Sequence, residues 1–160
     1  MRGLTILLIA ACGGGGSDSP DSGPARACMV STSAACKEAV NHSDLAWIEA
    51  NIFAMQCAFS GCHNGTNTPA GHPDLKTPGM SKAELVNIDA MVAPGRKLVV
   101  PGSVKQSYLM MMLQQYPASE MEPTPVAPPP NDIGLMPQGA GAICCQKLDA
   151  IDRWITAGAN

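Results

Sequence analysis

Cysteine sets the strongest limit on what this chain can become. It has seven, at positions 12, 28, 36, 57, 62, 144 and 145, against only two Trp, two Tyr and two Phe. With 14 prolines as well, the residues left for an apolar core are meagre. A domain of this make-up gains from covalent staples or from a large apolar cofactor. Six cysteines after Cys12 form an even set, which in an exported chain reads as a disulfide framework. Two accounts fit that parity. Either all six form three disulfides, or two of them bind a cofactor and the other four form two bridges.

The opening, MRGLTILLIAACGGGGSDSPDSG, has a charged Arg2, an apolar run from Leu4 to Ala11 and small residues before a cysteine. That is the layout of an export signal, and the run is too short to span a membrane. The IAAC stretch resembles a lipoprotein cleavage site, which leaves Cys12 as the lipid-bearing first residue. Residues 1–11 are read as a lipoprotein signal peptide, 12–26 as a flexible Gly/Ser tether and 27–160 as one domain. The expected location is the bacterial cell envelope, lipid-anchored at the outer membrane or the periplasmic face. The net charge of −3 and ten scattered Lys and Arg offer no basic patch, so nucleic acid is not an expected partner.

Along the domain the periodicity is helical and the loops are long. SDLAWIEANIFAMQC predicts a helix capped by Ser43 or Asp44, with Leu45, Ile48, Ile52 and Met55 on one stripe. Ser81 and Glu84 suggest a capping box for a short helix ending near Ile88. Ser103 is expected to cap VKQSYLMMMLQQ, whose Met110, Met111 and Met112 read as core filler. A final helix carries Leu148, Ile151, Trp154 and Ile155 and stops at Gly158. No strand pattern stands out. The expected class is all-α, with about four helices and long Pro/Gly-rich loops.

The chemistry-bearing stretch is MQCAFSGCHNG, with Cys57, Cys62 and His63. A C-x-x-C-H run marks covalent haem attachment, but four residues separate these cysteines. Five positions on a continuous helix diverge by about 140°, so the backbone must bulge, and Ser60 and Gly61 suit a bulge. A zinc site at Cys57, Cys62 and His63 would lack a fourth ligand. Nothing in the sequence has the form of a Ser/His/Asp set, a carboxylate pair or a phosphate loop, so an enzyme is not expected.

In CAFSGCHNG, VVPGSVKQSYLMMML, LMPQG and IDRWITAGA, in that order, residues 44 to 159 resemble the single-haem cytochrome c-like domains of exported myxobacterial and planctomycete proteins. The departure from that pattern is the four-residue spacer. The resemblance implies a cytochrome c-like fold with one covalent haem c. Cys57 and Cys62 would form the thioethers, and His63 with Met136 would be the axial iron ligands. Met136 sits in a polar Gly-rich loop, and the following Pro137 confines its backbone to extended conformations. Met121 is the alternative ligand, then His72 or His42. The resemblance also pairs Phe53 with Trp154 between the first and last helices. The implied function is electron transfer with redox partner proteins of the envelope. The alternative is a haemless, disulfide-stapled lipoprotein that keeps the fold as an interaction module, with Cys57 bonded to Cys62.

If haem takes Cys57 and Cys62, four cysteines remain. Cys144 and Cys145 are adjacent, and a disulfide between neighbours forces a strained peptide geometry. Two long-range bridges are therefore expected, joining the segment of Cys28 and Cys36 to the head of the last helix.

Overall fold

The computed structural model describes residues 28–59, 62–66, 72–124, 126–131, 133–138 and 140–160. Cys12, the signal and tether assignments, and the bulge expected at Ser60 and Gly61 lie outside these residues. Among the described residues the chain is mostly helical, and its β pairing is confined to isolated bridges such as Val86 with Val99 and Lys97 with Ser107. No helix among them is long and apolar enough to cross a membrane.

Helix α1 (Ala34–Ala39) was not foreseen. It is capped by Ser33, whose side chain accepts the Cys36 N–H at 3.3 Å. At its other end Arg153 donates from Nη2 to the carbonyls of Ala39 and His42, both at 2.7 Å. A guanidinium there satisfies carbonyls that a short helix leaves open and opposes the negative end of its dipole.

The expected first long helix is present, but it changes pitch on the way. Helix α2 (Leu45–Ile48) is capped by Asp44, which accepts the Trp47 N–H at 2.8 Å. It runs through a π-helical stretch (Glu49–Phe53) into α3 (Ala54–Gln56). A π turn adds a residue and rotates everything beyond it. Ile48, Ile52 and Phe53 therefore face the core, while Met55, expected on the same stripe, is 69% exposed.

Helix α4 (Met80–Leu85) has Gly79 as its N-cap, without a side-chain cap. The expected capping box does not form. Instead Glu49, on the π stretch, accepts the N–H groups of Gly79 and Ser81 at 2.9 and 3.2 Å. Glu84 is thereby left for another task, described below. The VKQSYLMMMLQQ segment also divides. A 3-10 turn (Val104–Gln106) and α5 (Tyr108–Met112) meet at Ser107, whose Oγ accepts the Val100 N–H at 2.9 Å and donates to the Ser103 carbonyl at 2.7 Å. Ser103 makes no side-chain cap.

Helix α6 (Cys145–Thr156) follows expectation closely. Leu148, Ile151, Trp154 and Ile155 are buried with Ile48, Ile52 and Phe53 in one cluster, so the first and last helices share a core. Gly158 ends the helix at φ +99°, a conformation that glycine adopts without a steric penalty. A second cluster gathers Tyr108, Met111, Met112 and Met121, and Met136 packs against both clusters. Two disulfides tie the start of the described chain to α6: Cys28–Cys145 and Cys36–Cys144, with Cα separations of 5.1 and 6.4 Å. Both are long-range bridges of the expected kind.

Candidate functional site

Four of the six described cysteines are consumed by these bridges, and Cys57 and Cys62 remain as half-buried thiols. Cys57 follows directly on α3, with its N–H bonded to the Phe53 carbonyl at 2.8 Å, and it packs against the main core. That burial pushes its pKa from 9.0 up to about 12, so it is held as the neutral thiol. The Cys62 N–H bonds to the Phe59 carbonyl at 3.0 Å.

His63 is the most constrained residue of the group. Its φ is +39°, in the left-handed region that a non-glycine residue enters at a cost. Two contacts hold it, and a turn braces them. The Leu75 N–H donates to the His63 carbonyl at 2.8 Å. The His63 Nδ1 lies 3.2 Å from the carbonyl oxygen of His72. Behind these, the Asp74 carboxylate accepts the N–H groups of Lys76 and Thr77 at 2.9 and 3.0 Å, making a compact turn. Gly65 is pressed against that carboxylate. A Cβ there would lie 2.5 Å from Asp74 Oδ2, so the close approach requires glycine.

The hydrogen bond fixes the chemistry of the ring. A carbonyl oxygen only accepts, so Nδ1 carries the proton and Nε2 keeps its lone pair. Burial lowers the pKa of His63 below its ordinary value, which keeps the ring neutral near pH 7. A neutral imidazole whose far nitrogen is anchored to a backbone carbonyl is the form in which histidine ligates a metal.

The methionines separate into two kinds. Met110, Met111 and Met112 are buried core residues, as expected. Met121, the alternative ligand, is 1% exposed within the second cluster. Met136 is half-buried, with its N–H on the Met112 carbonyl at 2.8 Å. Beside it lies a cavity of about 20 Å³, lined by Cys28, Leu113, Gln114, Met136, Pro137, Ala142, Ile143 and Leu148. None of Cys57, Cys62 and His63 contributes to that wall. The chain thus groups those three residues locally and presents Met136 separately, on the core that Cys57 also touches.

The other two histidines are engaged elsewhere. The His42 ring stacks on Trp47 at a centroid distance of 4.3 Å and lies 3.1 Å from Asp44. The His72 ring meets Glu84 at 3.3 Å. Among the described residues no group of three or more His, Cys, Asp or Glu side chains converges as a bound ion would need. Sequence reasoning missed the support of His63 by residues 72–77 and 84, because nothing local marks it. The Gly-, Pro- and Asp-containing GHPDLKTPG stretch signalled only a loop.

Comparison of the chain with family models, with curated proteins and with solved structures returns no match.

Proposed function

We propose that this chain is an electron-transfer lipoprotein of the cell envelope that binds one haem c. The observation that carries the reading is the arrangement at Cys57, Cys62 and His63. Two thiols are kept out of the disulfide framework, and the next residue is a neutral imidazole presented through Nε2. A bound haem would supply one-electron transfer, with a potential raised by a thioether ligand. Cys57 and Cys62 would hold it covalently, and His63 and Met136 would provide the axial donors. The zinc alternative loses ground, since the three side chains do not converge on a point. Thioether attachment makes no such demand, because the two sulfurs bond to separate positions on one large ring.

The remaining residues of the site act by restraint. The turn at Asp74 holds the imidazole, and α6 with its two bridges holds the core against which Cys57 rests. Lipid on Cys12 would keep the domain beside membrane partners, with residues 12–26 as the tether. The haemless interaction module draws on the same bridges, which stabilise the fold without any cofactor.

One measurement separates the two readings. The protein is made in an exporting host with haem maturation, and its visible spectrum is recorded before and after denaturation. Sharp α and Soret bands that persist in denaturant are expected. A colourless product carrying a Cys57–Cys62 disulfide would overturn the proposal.

A further inference from the structure

We propose that Glu84, on α4, is the positioning residue of His63. No hydrogen bond joins the two residues directly; a short segment of chain connects them. One oxygen of Glu84 accepts the Asp74 N–H at 2.5 Å and lies 3.3 Å from Nδ1 of the His72 ring. The same segment meets His63 twice, through the His72 carbonyl on Nδ1 at 3.2 Å and the Leu75 N–H on the His63 carbonyl at 2.8 Å. Residues 72–75 therefore grip Glu84 on one side and His63 on the other. The Asp74 turn keeps that segment stiff, so a displacement at Glu84 is passed to the His72 carbonyl rather than absorbed.

The other end of α4 is anchored as well. Glu49 holds its first N–H groups, and Glu49 belongs to the helix that leads into Cys57. Cys57 and His63 are thus joined by two routes, the six-residue path along the chain and a longer one through Glu49, α4 and Glu84. With both in place, the ring is fixed relative to the thiol from two directions. Without Glu84 the His72 carbonyl is no longer held against Nδ1, and the proton is free to move to Nε2, the nitrogen needed for ligation. The consequence for haem ligation rests on the function proposed above; the position of the proton does not.

The test uses the full chain without haem, at a pH above the imidazole range, and reads the His63 ring by ¹⁵N–¹H correlation. The unmodified protein should show the Nδ1–H pattern. Glu84→Ala should lose it and show Nε2–H instead, whereas Glu84→Gln, which keeps an acceptor oxygen, should retain it. A Glu84→Ala protein that is folded and still Nδ1–H overturns the proposal. Should Glu84→Ala fail to fold, amide exchange of the unmodified protein decides. The Asp74 N–H, bonded to a charged acceptor, should exchange about tenfold or more slower than in a free peptide. Exchange at the free-peptide rate overturns the proposal equally. Neither readout involves haem, so a colourless exported protein would remove the proposed function and leave this result standing.

Discussion

Cys57 and Met136 show how differently single residues declare themselves. Burial raises the Cys57 pKa from 9.0 to about 12. Each unit is a tenfold loss of thiolate, partly offset because a more basic thiolate is a better nucleophile. In the folded, haem-free protein at pH 8, Cys57 should react with a disulfide reagent about tenfold or more slower than in the unfolded chain. Peptide mapping of the labelled protein measures this. The same shift leaves stability unaffected below about pH 9 and erodes it as pH climbs from 9.0 towards 12, because only the unfolded thiol ionises there. For Met136 the expected outcome is spectroscopic. In haem-loaded protein, Met136→Ala should abolish the weak long-wavelength band of a methionine–iron bond, and Met121→Ala should leave it intact. Loss of the band on the Met121 change alone would reverse the assignment. The thiol pair and the histidine were legible because they adjoin in sequence. The carbonyl that sets the ring's proton was not, since it comes from His72, nine residues on.

Among the elements, the sequence was readable where partners are local and silent where they are distant. The α6 stripe and the Asp44 cap depend on residues three or four apart, and both were legible. The Ser81/Glu84 capping box was a reasonable local pattern, but the α4 donors are taken by Glu49, 30 and 32 residues away. No window of sequence reveals that. The π stretch is similarly hidden, because Leu45, Ile48, Ile52 and Met55 fit an α-helix better than the true register does. Its reward is visible only in three dimensions, where it brings Glu49 to α4 and offers the Asn51 carbonyl to Lys147 Nζ at 2.7 Å. Glu49→Ala should leave two amides of α4 without their charged acceptor. The expected cost is about 2 kcal/mol, roughly a 1 M fall in urea midpoint at unchanged slope. A midpoint within error of the parent would show that water replaces the carboxylate freely.

For the whole molecule, the aromatic-poor composition already argued for staples, and the adjacency of Cys144 and Cys145 argued for where they lead. Which sulfur meets which was not legible, because Cys28 and Cys36 lie close enough to exchange partners. In the chain-entropy model one bridge across 117 or 108 residues contributes about 5 kcal/mol. A second bridge closes only the short ring left by the first and adds about 3 kcal/mol. Replacing either pair with alanine should therefore cost about 3 kcal/mol and replacing both about 8, more than the two single losses together. A double loss no larger than the sum of the two single losses in denaturant titrations would contradict this. The pairing also has a consequence in time. Synthesis runs from Cys28 towards Cys145, so neither native bridge can close until the start of α6 has been made. Throughout that interval the nearest oxidation partner of Cys28 is Cys36, and Cys57 and Cys62 are exposed to the same competition. If Cys28 and Cys36 pair in that interval, the native bridges form only by reshuffling, and the yield should then respond to disulfide isomerase more than to oxidant.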